Sequence, residues 1–199
     1  MKNRAVILDR DGVLNVDKGY VHRIEDFQLL PRVIDALQLL PEDFRLIIIT
    51  NQSGIGRGFY TEEQFLELMG NVKRLLARDG IHIDKVYYCP HLPSDNCSCR
   101  KPHTDLLERA VDEFGLDPKR CVVIGDHTSD IKMGEDGGCR TILVKTGFGG
   151  TDGMYPINPE YIAQDLYDAI HYIASTPTDG KDRSSFEESC GEQFCGKNR

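Results

Sequence analysis

The chain of 199 residues has no long apolar run: the longest, such as residues 46–49, cover only a few positions, against the ~20 that a bilayer-crossing helix requires. That excludes a transmembrane helix and leaves no membrane partner to expect. The N-terminal MKNRAVILDRDG holds a very short apolar stretch that ends in charges, whereas a secretory signal needs an apolar core of roughly 7–15 residues. A cytoplasmic protein is therefore expected. Basic residues are also in deficit, with 24 Lys+Arg against 32 Asp+Glu and a formal net charge of −8. This balance argues against the broad basic surface on which non-specific nucleic-acid binding depends, so no nucleic-acid partner is expected. No internal repeat is found.

What is present is a globular composition, 40% hydrophobic and 28% charged, at a length that suits one domain of roughly 100–200 residues. The domain is expected over residues 1–174. Residues 175–199 are polar and aperiodic and read as a loosely attached tail.

Nearly all-apolar runs alternate with segments of helical period. Strands are expected at residues 5–8, 46–50, 85–88, 121–124 and 141–144, and helices near 33–40, 61–78, 104–114, 129–134 and 159–174. Strands apolar on both faces belong in a sheet covered by helices on both sides, which gives an α/β fold with a doubly wound parallel sheet. Two helix starts carry local signals: Thr61 has Gln64 at the capping-box position, and Thr104 stands one residue before Asp105.

In such a sheet ligands bind beyond the carboxyl ends of the strands. Three of those ends carry chemistry. The first strand runs into Asp9-Arg10-Asp11-Gly12, the second into Thr50-Asn51-Gln52-Ser53-Gly54, and the fourth into Gly125-Asp126 with Asp130 four residues on. Asp9 and Asp11, two apart on extended chain, share a face. Their mutual repulsion would be relieved by a divalent cation, and the hard oxygens of Asp9, Asp11 and Asp126 suit Mg²⁺. An isolated Asp-x-Asp is ordinarily a solvated turn; the convergence of three strand ends is what favours a metal site.

Seven cysteines are an odd number, and in a cytoplasmic chain their spacing is read first as metal binding or catalysis. Cys89, His91, Cys97 and Cys99 fall within 11 positions, a donor set that suits tetrahedral zinc. With no fifth protein ligand and no open position apparent, a closed structural site is favoured over a catalytic one; reduced or redox-active thiols are the alternative. Cys121, Cys139, Cys190 and Cys195 sit in apolar, turn or tail contexts and are expected to carry no function.

The ordered segments ILDRDGVLN, IITNQSG, RKP and VIGDHTSD resemble the motifs of the haloacid dehalogenase superfamily of phosphohydrolases, in the branch that holds heptose-bisphosphate and histidinol-phosphate phosphatases. The resemblance covers roughly residues 4–148 and implies a core sheet with no large cap domain. It implies that Asp9 is a nucleophile forming an aspartyl-phosphate and Asp11 the acid/base. Thr50 and Ser53 would hold phosphoryl oxygens, and Lys101 would neutralise their charge. Mg²⁺ would be bound by Asp9, the backbone carbonyl of Asp11 and Asp126, with Asp130 behind them. In the family the cysteine loop carries zinc, which would fix the Arg100-Lys101 segment.

Residues 15–22 (NVDKGYVH) and 50–58 (TNQSGIGRG) are similar to the heptose branch. This implies substrate contacts from Asp17, Lys18, Gly19, Tyr20, Asn51, Gln52, Ser53, Arg57, Arg100 and His127, although the heptose enzymes carry Lys where this chain has His127. The short zinc loop CPHLPSDNCSCRKP is instead similar to histidinol-phosphate phosphatases. The expected activity is Mg²⁺-dependent removal of the 7-phosphate of a heptose 1,7-bisphosphate, on the way to nucleotide-activated heptose. A compact monomer acting on a small phosphorylated sugar is expected. Histidinol phosphate is the rival substrate; a polynucleotide 3′-phosphatase and a zinc-stabilised scaffold without activity are further alternatives.

Overall fold

A computed structural model describes residues 2–176. Six strands, β1 (Arg4–Leu8), β2 (Phe44–Asn51), β3 (Lys85–Cys89), β4 (Val122–Gly125), β5 (Arg140–Val144) and β6 (Tyr161–Ala163), form one sheet. Their order is β3-β2-β1-β4-β5-β6, and every neighbouring pair is parallel. The helices are α1 (Val33–Gln38), α2 (Ser53–Gly56), α3 (Glu62–Ala77), α4 (Asp105–Phe114), α5 (Thr128–Asp136) and α6 (Leu166–Ser175).

Alternation along the strands builds two cores. Val6, Leu8, Leu46, Ile48, Val122 and Ile124 point to one face, where they meet Val33 of α1, Phe65 and Leu68 of α3 and Ile170 of α6. Ala5, Ile7, Ile47, Ile49 and Val123 point to the other, against Leu106, Leu107 and Ala110 of α4 and Met133 of α5. Period-two side chains on strands buried on both sides dictate this arrangement. Phe65 is fully buried, and Phe65→Ala is worth a loss of about 3–5 kcal/mol.

The chain leaves β1 toward β2 but leaves β4 toward β5, so the order reverses between β1 and β4, which opens a crevice at their carboxyl ends. The Asp9 backbone N–H donates to the Ile124 carbonyl (3.0 Å), which brings Asp9 and the Gly125-Asp126 pair to the same edge. Among the described residues no cap domain is inserted, and no helix is long and apolar enough to cross a membrane.

Two local expectations are corrected and one is realised. The segment 159–174 is not one helix: Tyr161-Ile162-Ala163 pairs with β5 as a sixth strand, and α6 begins only after Asp165, whose side chain accepts from the Asp168 N–H (2.8 Å). Three residues carry too short a period to announce a strand; hydrogen bonding to β5 decides it. Directly after β2, Ser53–Gly56 forms the short helix α2. Thr104 does not cap α4 with its side chain; its hydroxyl donates to the Glu108 carboxylate (2.6 Å). Thr61 does form the capping box, taking the Gln64 N–H while the Gln64 side chain takes its own. Ser175 closes α6, and the rest of the expected tail, residues 177–199 with Cys190 and Cys195, lies outside the described residues.

Candidate active site

The crevice is a cleft of about 690 Å³. At its floor Lys101 is buried, with its ammonium 2.6 Å from Asp9 Oδ1 and 2.7 Å from Asp130 Oδ1 and donating to the Ile49 carbonyl at 2.8 Å. Its three donors thus have three acceptors. Burial opposes the Lys101 charge, but Asp130 and Asp9 outweigh it and hold the ammonium firmly protonated. Burial also raises the Asp9 carboxyl to about 6; Lys101 works against that rise, and Asp130 and Asp11 add to it. Asn51 fixes the Lys101 main chain from β2, accepting its N–H (3.1 Å) and donating to its carbonyl (3.4 Å).

Asp11 stands at the cleft wall with its carboxylate held from three sides. Arg10 Nη2 donates to both oxygens (2.7 and 2.5 Å), Asn15 Nδ2 to Oδ1 (2.9 Å) and Gln52 Nε2 to Oδ2 (3.2 Å). The Gln52 amide also donates to Thr50 Oγ1 (2.9 Å) and accepts from the Tyr60 hydroxyl (2.6 Å).

Asp126 is fully buried below the cleft. Its Oδ2 accepts the Phe148 N–H (2.8 Å), its Oδ1 lies 3.1 Å from His127 Nδ1, and its carbonyl accepts from Gly150 (2.7 Å). Only glycines fit around it: a Cβ on Gly12 or Gly147 would come within 2.3 or 2.1 Å of Oδ2, and both have positive φ. Burial raises the Asp126 carboxyl, opposed by the His127 hydrogen bond. Burial lowers the His127 imidazole, but its hydrogen bond and charge pairing with Asp126 carry it up to about 9. Ligand atoms of Asp126, His127 and Asp130 lie within 4.8 Å of one another. Burial opposes the ionisation of both Asp9 and Asp126, and a pair of hard carboxylate oxygens so placed is relieved by a divalent cation, so Asp9 and Asp126 fit Mg²⁺.

The four zinc-type donors also converge. Cys89 Sγ is 3.6 Å from His91 Nδ1 and 3.5 Å from Cys97 Sγ; Cys99 Sγ is 3.2 Å from His91 Nδ1 and 3.6 Å from Cys97 Sγ. A tetrahedron with ligands about 2.0–2.3 Å from its centre has edges of about 3.3–3.8 Å, close to these separations, so the set fits zinc. Burial pushes the Cys89 thiol up, so a thiolate there calls for a cation. The cluster lies beside Arg100, whose Nη1 is 3.5 Å from the His91 carbonyl.

The cleft walls contain Asp9, Asp11, Thr50, Asn51, Gln52, Ser53 and Lys101. Asp17, Gly19, Tyr20, Arg100 and His127 line it farther out. Lys18 and Arg57 are exposed and do not line the cleft. Sequence reasoning missed Arg10, Asn15 and Tyr60 around Asp11, and the Phe148 and Met154–Tyr155 part of the wall. It also missed Asp152, which takes the Thr128 N–H (2.9 Å) and so pins the 146–155 segment to the start of α5. The Gly-rich GFGGTDG stretch was the one available sign of that turn.

A doubly wound sheet that gathers buried carboxylates and a buried ammonium at its switch point defines an α/β protein with an enzyme-type cleft whose donors suit a divalent cation. A HAD-hydrolase-like (haloacid dehalogenase-like) family model matches residues 98–169. The chain is 41% identical over 153 residues to the D-glycero-beta-D-manno-heptose-1,7-bisphosphate 7-phosphatase of Haemophilus influenzae, covering 73% of this chain and 83% of that one. It is 43% identical over 145 residues to the D-glycero-alpha-D-manno-heptose-1,7-bisphosphate 7-phosphatase of Campylobacter jejuni, covering 72% and 83%. The crystal structure of D,D-heptose 1.7-bisphosphate phosphatase from B. bronchiseptica, complexed with magnesium and phosphate, superposes with a TM-score of 0.79 at 30% identity, over 85% of this chain and 97% of that one. The chain belongs to the haloacid dehalogenase family of phosphatases.

Proposed function

We propose that the protein removes the 7-phosphate of a heptose 1,7-bisphosphate, working as a single chain through an aspartyl-phosphate on Asp9. The observation that carries the reading is the cleft floor itself, where Asp9 faces Lys101 and Asp130 with Asp11 at the wall. The substrate is that of relatives over 40% identical, named for both anomers. A cleft of about 690 Å³ is of a size that takes small ligands.

In the first step an Asp9 carboxylate oxygen attacks phosphorus and the P–O bond to the sugar breaks. The leaving oxygen takes a proton from Asp11. In the second step water attacks the phosphorus of the phosphoaspartate and gives its proton to Asp11, releasing phosphate and restoring the Asp9 carboxylate. Lys101, Thr50 and Ser53 border the space where the phosphoryl oxygens would sit; the ammonium would offset their charge and the two hydroxyls would donate hydrogen bonds to them. Asp9, Asp126 and the Asp11 backbone carbonyl would hold Mg²⁺, which neutralises charge between carboxylate and phosphate when bound. Cys89, His91, Cys97 and Cys99 would hold a structural zinc that steadies Arg100 and Lys101. Tyr20 and His127, which both line the cleft, would contact the sugar.

The test is phosphate release with Mg²⁺ from each heptose 1,7-bisphosphate anomer and from histidinol phosphate, with Asp9→Asn protein as the contamination control. The reading expects kcat/KM to be higher for one heptose anomer. A preference for histidinol phosphate would overturn the substrate assignment and leave the chemistry standing.

A further inference from the structure

Arg10 lies between the two catalytic aspartates in sequence yet does not line the cleft. Its side chain is fully buried. A single nitrogen, Nη2, makes all of its hydrogen bonds, to both Asp11 oxygens and to the Val21 carbonyl (3.0 Å). Nε and Nη1 are buried without a hydrogen-bond partner, and the guanidinium carbon sits 5.8 Å from the centre of the Phe65 ring. A charged group so placed is costly, because its desolvation is only partly offset. Packing gives no reason for it, since an apolar side chain of similar length would fill the same space beside Phe65.

What the guanidinium does reach is the Asp11 carboxylate, from the side away from the cleft. Gln52 reaches it from the β2 side. That amide is itself aimed, because the Tyr60 hydroxyl donates to its oxygen and so turns its NH₂ toward Asp11 and Thr50. Burial pushes the Tyr60 phenol up to about 12, which keeps it a donor. Its ring is seated against Gly54, where a Cβ would lie 2.1 Å from Tyr60 Cε1, and is stacked on His22 at 4.9 Å.

We propose that Arg10 is a positioning residue for Asp11, and that Gln52, aimed by Tyr60, is the opposing arm of the same cradle. The cradle fixes the direction in which the Asp11 carboxyl presents its proton to the leaving oxygen. It also sets a positive charge beside the carboxylate that forms as the proton departs. The proposal rests on the reading of Asp11 as the acid.

That role makes a prediction that a purely structural one does not. A sugar alkoxide is a poor leaving group and needs the proton, whereas p-nitrophenolate leaves without it. kcat/KM reports steps up to the release of the alcohol, so it isolates this proton transfer from the later hydrolysis. The ratio of kcat/KM on heptose 1,7-bisphosphate to that on p-nitrophenyl phosphate is also independent of how much of a variant is folded.

The experiment measures this ratio for the wild type, Arg10→Met, Arg10→Lys, Tyr60→Phe and Asp11→Asn. Arg10→Met is expected to lower the ratio about tenfold or more, Arg10→Lys to restore part of it, and Tyr60→Phe to lower it by a smaller factor. The melting temperature of Arg10→Met is expected to be unchanged or raised. Equal losses on both substrates in the Arg10 variants, with Asp11→Asn selective, would overturn the proposal and leave Asp11 as the acid. Equal losses in Asp11→Asn as well would overturn that assignment. If Arg10→Met does not fold, Arg10→Lys and Tyr60→Phe decide: an unchanged ratio in both contradicts the cradle.

Discussion

The Lys101 ammonium is clamped between two carboxylates, 2.6 Å from Asp9 Oδ1 and 2.7 Å from Asp130 Oδ1, and all three residues are buried. Asp130 therefore does more than stand behind a metal site: it shares the lysine with Asp9. Its other oxygen accepts the His127 N–H (3.0 Å) and ties the clamp to the start of α5. Removing Asp130 leaves Asp9 as the one carboxylate of the clamp, which would hold the ammonium over the proposed nucleophile. Asp130→Ala is expected to cost about 3–5 kcal/mol of stability, as when one partner of a buried pair is removed, and to lower kcat about 10–100-fold. Asp130→Asn, which keeps an acceptor, should be milder in both. Denaturant melts and kcat for the two variants check this; equal stability of Asp130→Ala and wild type would contradict it.

With Asp9 as the proposed Mg²⁺ ligand, proton and Mg²⁺ would compete for it. Its carboxyl is raised to about 6, mainly by burial, so its charged form predominates above that pH and is lost progressively below it. Mg²⁺ affinity should follow the same direction, level above about pH 7 and about tenfold weaker at pH 5. Calorimetric Mg²⁺ titrations at the two pH values read this without turnover. An affinity that is constant or rises at pH 5 would show that Asp9 is not a ligand.

Cys99→Ala or chelation should open the loop that ends at Lys101, because a tetrahedral metal site couples binding to local folding. The expected results are about one zinc per chain in the untreated protein and a melting temperature lower by about 5 °C or more after its loss. kcat should fall in parallel, since Arg100 and Lys101 follow Cys99 directly. Elemental analysis without zinc, together with unchanged melting, would remove the structural site.

Two glycines should respond in opposite directions to the same substitution. Gly147 has φ +60°, and its Cβ would meet Asp126 Oδ2 at 2.1 Å and Gly12 Cα at 2.8 Å. Gly147→Ala should weaken both stability and Mg²⁺ binding. Gly70 lies inside α3 with no neighbour within 4 Å of a Cβ, so Gly70→Ala should stabilise by about 1 kcal/mol. Thermal melts of the pair, with Mg²⁺ titration of the first, test the cradle around Asp126.

The features readable from sequence were those whose signal is local. Apolar strands β1, β2 and β4 end directly in Asp9, Thr50 and Asp126, so topology alone brings them together. The Cys/His spacing likewise folds onto itself, since Cys89 ends β3 and the other three donors follow within one loop. What was missed depends on burial and distance. Arg10 looks in sequence like a solvated charge beside two acids, and only its complete burial turns it toward Asp11. Gln52 looks like a free amide for substrate, but Asp11, Thr50 and Tyr60 engage it. The Phe148 N–H reaches Asp126 across 22 positions, beyond any spacing rule. Lys18 is exposed between the cleft-lining Asp17 and Gly19, and Arg57 is exposed beyond the last lining residue of its segment, Ser53.

The central claim is that Asp9 carries the phosphoryl group between the two steps. Acid quenching of the enzyme during turnover of ³²P-labelled heptose 1,7-bisphosphate, followed by peptide mapping, reads this directly. Label is expected on the peptide that contains Asp9 in the wild type, and none in Asp9→Asn. Label on another residue, or phosphate release by Asp9→Asn at a near wild-type rate, would contradict the claim.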